Sequence, residues 1–202
     1  MADCVGGEEL MKINVSIEQN SLERAYKLLK HINGAFEHAV AMATNRTLEG
    51  VRTDAVRETA GRYFAKSGDI RKTITVNKAS AGKLTGTVVS RGGRRKLSQY
   101  QLTPKTPQAG RKKGFKGAVK RDSGLKPLPH GTFMMNTPNA GYVLFIRTNP
   151  GRGWQNIKHV VSPSIPQIVK NEETVKIVEM QARERFEKRL NHEVMRILTV
   201  LP

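Results

Sequence analysis

AFEHAVAMATNRTLEGVRTDAVRETA, residues 35–60, is the stretch whose reading decides the fold. Phe36, Ala39, Val40, Ala43, Thr47, Val51 and Ala55 recur at three- and four-residue spacing, while Arg46, Arg52 and Arg57 fall largely off that stripe. This is the pattern of a long helix with one buried side, continued here to residue 65 with Arg62 also off the stripe. Upstream, Asn20 followed by Glu23 gives an N-capping signature, and Leu22, Ala25, Tyr26, Leu28 and Leu29 follow at helical spacing, so a helix begins near Ser21. Asn33-Gly34 is the expected break between the two. Gly50 and Gly61 each cost roughly 1 kcal/mol relative to alanine inside a helix, which predicts a bend or a close packing contact at either.

Outside this region the period changes to two. Ile13, Val15 and Ile17 alternate within residues 11–17, as in a half-buried strand. In SGDIRKTITV, Ile70 and then Thr73 to Val76 lead into a strand, and LTGTVVS, residues 84–90, reads as its hairpin partner. GYVLFIRT, residues 141–148, is apolar on both faces and is expected at the centre of a sheet. IKHVVS, residues 157–162, follows the turn NPGRGW and ends at Pro163 and Pro166. From Asn171, with Glu172 and Glu173, a last helix carries Val175, Val178, Ala182, Phe186, Leu190, Val194 and Ile197 on one side. Pairs such as Glu179 with Arg183 and Glu184 with Lys188 suit its exposed side. Residues 91–131 show no sustained apolar period and read as a long basic loop, with short strands or order on assembly as the alternatives. The fold class is α+β. We expect one domain over residues 1–202: an arm (1–10), a strand and long helix (11–66), a hairpin (67–90), the basic Gly/Pro-rich loop (91–131), strands (132–166) and a C-terminal helix (167–202).

The net charge of +18 is carried by one region. Between residues 70 and 171 stand 20 Lys or Arg and a single carboxylate, Asp122; the two ends together hold 15 basic and 16 acidic residues. AGRKKGFKGAVKR, residues 109–121, has six cations, three glycines and no acid. A lone run of three cations would be a solvated surface, but an imbalance over a hundred residues repels itself unless an anionic partner compensates. Only Tyr100 and Phe115 are there to stack on bases, so contact with nucleic acid is expected to be through phosphates and blind to sequence. The candidate DNA-facing or partner-facing residues are Arg91, Arg94, Arg95, Lys96, Arg111, Lys112, Lys113, Lys116, Lys120 and Arg121.

Chemistry of other kinds is not signalled. His31, His38, His130, His159 and His192 show no metal-ligand spacing, His192-Glu193 lacks the second histidine of a zinc-protease helix, and Ala81-Gly82-Lys83-Leu84 lacks the spacing of a phosphate loop. Gly110, Gly114 and Gly117 fit no dinucleotide fingerprint. No catalytic residue, metal or cofactor is therefore expected. Cys4 is the one cysteine, so no intramolecular disulfide forms, and nowhere do eighteen apolar residues follow one another. The reading is a soluble protein made in the cytoplasm, with no membrane partner. Aromatics at 5% leave few large anchors for a core, which predicts reliance on partners for stability.

The ordered set of the Ala-rich helix with Asn45-Arg46, SGDIRKTITV, the Arg/Lys-rich middle, GYVLFIR, the Gly-Arg-Gly-Trp turn, IKHVVSPSIPQIV and the charged last helix resembles the minor tail protein Z family of tailed bacteriophages, the tail completion proteins. The likeness covers about residues 20–199. It implies an antiparallel sheet packed against a long N-terminal helix and a C-terminal helix. It also implies a structural protein without enzyme activity at the head-proximal end of the tail, forming a homo-oligomeric, hexameric ring around the DNA channel that makes the tail competent for joining to the head. The partners it implies are the tail terminator or tail tube, the head-neck connector and, nonspecifically, phage DNA; the location is the virion, after assembly in the host cytoplasm. The reading from charge alone is a sequence-nonspecific nucleic-acid-binding protein, and an enzyme with an unrecognised site is the third.

Overall fold

The computed structural model describes residues 9–13, 19–107, 114–138, 141–148 and 156–200. Its frame is a pair of long antiparallel helices. Helix α1 spans Gln19–Leu29, and α2 spans Ala35–Arg62. Gly34 separates them with φ of 70°, a left-handed turn that glycine makes without steric cost. Asn20 lies inside the first turn of α1, one residue after its start, so it is not the cap the sequence suggested. Of the α1 stripe, Ala25 and Leu29 are buried, whereas Tyr26 and Leu28 are exposed.

The alanine-rich face of α2 meets the last helix, α5, which spans Glu172–Val200. Small side chains bring the two helices close, and polar contacts fix their register along the seam. Arg62 pairs with Glu173, Arg57 Nη2 donates to Gln181 Oε1 at 3.2 Å, and Arg185 Nη1 donates to Asp54 Oδ2 at 2.6 Å. Gly50 belongs to this seam: a Cβ built there runs into the Arg185 guanidinium, so the glycine marks a close packing contact. At Gly61 nothing lies near such a Cβ. Asp54 is itself buried, and Arg185 with Arg57 3.6 Å away compensates its charge.

Two apolar clusters bury the rest of the helix pair. One is purely helical, with Ala25 and Leu29 of α1, Ala35, Ala39, Val40 and Ala43 of α2, and Phe186, Leu190 and Val194 of α5. The other joins Leu48, Val51 and Ala55 of α2 and Val178 and Ala182 of α5 to the strands. Burying each of the larger side chains contributes about 1.5–3 kcal/mol.

The sheets are small and antiparallel. Strand β1 (Glu9–Ile13) pairs with β3 (Thr87–Gly92), and β3 pairs with β2 (Ile74–Asn77), giving the order β1-β3-β2 with Lys12↔Val89↔Thr75 in one row. The β2–β3 hairpin is thus the expected one, and β1 covers the first half of the expected strand; Val15 and Ile17 fall outside the described residues. The residues leading into β2 are different. Ser67–Thr73 form helix α3, not strand, with Ile70 fully buried and the Thr73 hydroxyl bonded to the Ile70 carbonyl at 2.7 Å. The spacing of Ile70, Thr73 and Ile74 fits a helical turn as well as an irregular strand, which is why alternation misled here. The 78–86 connection is pinned to α2 by Asn45, whose amide donates to Ala79 O (3.0 Å) and accepts from Ala79 N (2.8 Å).

Strand β9 (Gly141–Arg147) sits between β8 (Thr132–Thr137) and β10 (Ile157–His159), central as expected. Leu144 points into the main core. Phe145, on the other face, stacks on Phe133 at 5.8 Å and meets His159 in a tilted contact at 4.5 Å, so this second face is covered by its own aromatic row. Next, β11 (Val161–Ser162) pairs with β4 (Arg95–Lys96).

Two further points concern bounds. The 91–131 segment is not one loop but takes the short-strand alternative: besides β4 it holds a 3-10 turn (Leu97–Gln99) and a three-stranded sheet of β5 (Gln101–Thr103), β6 (Lys116–Ala118) and β7 (Lys126–Pro127). The C-terminal helix does not run from 167. A separate helix α4, Ile165–Val169, precedes it with a capping box in which Ser164 Oγ accepts from Gln167 N and Gln167 Oε1 accepts from Ser164 N at 3.0 Å. Pro166 in the first turn lacks only an N–H that would have no helical partner anyway.

Candidate functional site

The cations singled out from sequence fall into two kinds. Arg91 at the end of β3, Arg94 between β3 and β4, and Lys116 on β6 are exposed and make no ion pair among the described residues. Arg95, Lys120 and Arg121 are tied into the body, Arg95 by burial and the other two, though exposed, by contacts with the end of α2. The Arg95 side chain is only 13% exposed; its Nη2 donates to Asp69 Oδ2 at 2.7 Å, its Nε to Gln99 Oε1 at 3.0 Å, and its guanidinium lies 5.7 Å from the centre of the Tyr100 ring. The hydrogen bond from Arg95 holds the Asp69 carboxyl below its usual range, although partial burial works the other way. Tyr100 is buried with its hydroxyl donating to Pro163 O at 2.9 Å, and that burial raises its pKa to about 12.

Lys120 and Arg121 close the far end of the same segment onto α2. Tyr63 and Lys120 form a β-bridge, with the Lys120 ammonium 6.0 Å from the Tyr63 ring centre. Arg121 Nε donates to Ala60 O at 3.1 Å, Arg121 N donates to Arg62 O at 2.9 Å, and the guanidinium lies 4.9 Å from the Phe64 ring centre. A cation capping the last carbonyls of a 28-residue helix suits the negative end of its dipole. Lys96 is half-buried on β4 and has a partner as well. Arg111, Lys112 and Lys113 lie outside the described residues.

The structure adds one cation that the sequence pattern did not single out, Lys12. The outward face of the β1-β3-β2 sheet carries Lys12 beside Arg91, together with Leu10, Thr75 and Asn77, all exposed. The alternation that buries Met11 and Ile13 already put Lys12 on the opposite face, but Lys12 stands outside the charge-rich stretch and so escaped notice.

Among the described residues no group of three or more His, Cys, Asp or Glu is placed to hold a metal ion, and no helix is long and apolar enough to cross a membrane. Grooves run along α5 between alternating acidic and basic side chains such as Lys176, Glu179, Arg183 and Glu184. The chain belongs to the prophage minor tail protein Z family (GPZ), whose family model matches residues 20–201. No curated protein and no solved structure matches it. Membership makes this a bacteriophage tail protein with a structural role in the virion, working against other phage structural proteins.

Proposed function

We propose that the protein is the tail completion subunit of its phage. In this reading identical copies form a hexameric ring at the head-proximal end of the tail, next to the tail terminator or tail tube, and make the tail competent to join the connector of a filled head. Assembly takes place in the host cytoplasm, and no chemistry is catalysed. The observation that carries this reading is the family match over residues 20–201. The exposed cations suit it, since diffuse Lys and Arg contacts with phosphates let DNA slide, as a conduit requires. Cations at Arg91, Arg94, Arg111, Lys112, Lys113 and Lys116 face the DNA channel or an acidic neighbouring ring. Arg95, Lys120 and Arg121 stay in the body as anchors.

Imaging of particles carrying a labelled copy tests the placement. The label is expected at the head-proximal tail end, and tails assembled without the protein are expected to remain unjoined to heads. A label elsewhere, or normal joining without the protein, overturns the reading. The second reading, a free nucleic-acid-binding protein, is favoured by the unpaired cations alone. Light scattering separates the two: a lasting monomer that ignores tails and retards DNA of any sequence at physiological salt supports the second.

A further inference from the structure

Among the described residues the β1-β3-β2 sheet ends in two open edges. Strand β3 is paired on both sides, whereas β1 and β2 each pair with β3 alone among the described residues. An open edge presents a row of unsatisfied N–H and C=O groups, which natural proteins cover, blunt or pair. Neither edge is blunted by proline, and β1 and β2 are of similar length, five and four residues. Both run antiparallel to β3, so they run parallel to each other.

That direction decides what can complete the sheet. A two-fold dimer would set β1 antiparallel against its own copy, or β2 likewise, which leaves one edge open in each subunit. Rotation about a cyclic axis keeps every strand in its sense and brings β1 of one copy beside β2 of the next, parallel, with both edges consumed in each subunit. We infer that the contact between successive copies is this β1-to-β2 strand addition, closing one sheet around the ring.

The surroundings of β1 fit an added strand. An open groove of about 710 Å³ runs beside it, walled by Lys170, Glu172, Val175, Lys176 and Glu179 from α4's end and the first turns of α5. Leu10, 51% exposed, lies in that groove. The exposed Arg71 and Lys72, which lead into β2, and Lys78, which follows it, supply cations that an incoming copy would bring to Glu172 and Glu179. The apolar face of the sheet is already occupied, because Met11, Ile13, Ile74 and Val88 pack with α4 in the main core. On the opposite face Val89 is buried, and the exposed Lys12 and Arg91 around it are left for the lumen. Three strands from each of six copies would give about eighteen, a number that in closed barrels leaves an aqueous channel.

The inference rests on the ring proposed above, and the test separates the two. In a Cys4→Ser background, cysteines are introduced in pairs, Leu10→Cys or Lys12→Cys with Thr75→Cys or Asn77→Cys, and the protein is assembled and treated with a mild oxidant. Within one chain these positions flank β3 at about 9.6 Å, two strand spacings, beyond the roughly 7 Å that a disulfide spans between Cα atoms. The expected result is a covalent ladder of multimers for at least one pairing, ending at the ring's subunit number, with dimers at most for each single cysteine. Hydrogen exchange on the unmodified protein should show β1 and β2 amides gaining protection on assembly while β9 amides stay unchanged. Rings that form without any ladder and without that protection overturn the strand addition and leave the ring standing. A protein that stays monomeric and is not taken into tails overturns both.

Discussion

The α2–α5 pair and the cation-rich segment from β3 to residue 131 differ in what holds them. In the helix pair, charges are balanced and meet across the seam, as Asp54 does with Arg185, and apolar stripes do the rest. In the cation-rich segment the strands are two to six residues long, and a few directed contacts hold them to the body: Arg95 on Asp69, Tyr100 on Pro163 O, Arg121 on Ala60 O. The lesson is that a run of positive charge is not uniform. Side chains of one type, side by side in sequence, divide into structural anchors and free surface.

The first way to break this comparison is at the core, where the largest effect is expected. Leu144→Asp places a carboxylate at a site 1% exposed with no partner, and should abolish folding. Soluble protein with native circular dichroism would show that β9 is not central. Phe186→Ala should cost about 3–5 kcal/mol in chemical denaturation, as large-to-small core changes do, and release the helical cluster. A melting curve like that of the parent protein would remove α5 from the core.

The sharper contrast is between neighbours. Arg95→Ala should cost about 1.5–3 kcal/mol, the range for hydrogen bonds to charged groups, whereas Arg94→Ala should change stability by less than about 0.5 kcal/mol. Equal effects would erase the division into anchors and free cations. The same node gives a pH signature. Because Tyr100 ionises at about 12 in the folded chain and near its ordinary 10.0 when unfolded, its contribution is fully present below pH 10 and is lost as pH rises from 10 to 12. Asp69 behaves oppositely: with its folded pKa below 3.8, its contribution holds above that pH and is lost on acidification below it. Tyr100→Phe should flatten the alkaline limb of the stability profile and leave the acid limb as it was.

The smallest effect on stability is expected from replacing Arg111, Lys112, Lys113 and Lys116 together with Ser, at about 0.5 kcal/mol or less. The defect should appear in tail assembly or infectivity instead. If DNA is the partner, every phosphate that is no longer neutralised flattens the slope of log affinity against log salt by about 0.9, equally for all sequences. Adding Lys120→Ser and Arg121→Ser to that set should lower stability, since Arg121 donates to the end of α2. Normal particle yield and infectivity for the four-residue variant would make this stretch an ordinary solvated surface.

Legibility followed the range of the interactions concerned. Twenty-eight residues of α2 and twenty-nine of α5 repeat their pattern often enough to be read directly, down to the break at Gly34 and the close approach at Gly50. The capping box Ser164-Ile165-Pro166-Gln167 was also written in the sequence, but a helix of five residues leaves almost no period behind it, and the two prolines pointed toward a strand end. Strands of two or three residues, as in β4 to β7, give no alternation to detect.

By itself, then, the chain determined its α+β character, its two long helices, the central place of GYVLFIR and the concentration of charge between residues 70 and 171, because each is a sum over many residues whose local preferences agree. Which cations are free was decided only by the tertiary structure. Arg94 and Arg95 are identical neighbours in RGGRRK, and the side chain that turns inward is selected by the pairing of β4 with β11, far along the chain, and by where α3 sets Asp69. An interaction between residues far apart in sequence leaves no periodic trace in either stretch, so no local pattern could have told the anchor from the free side chain.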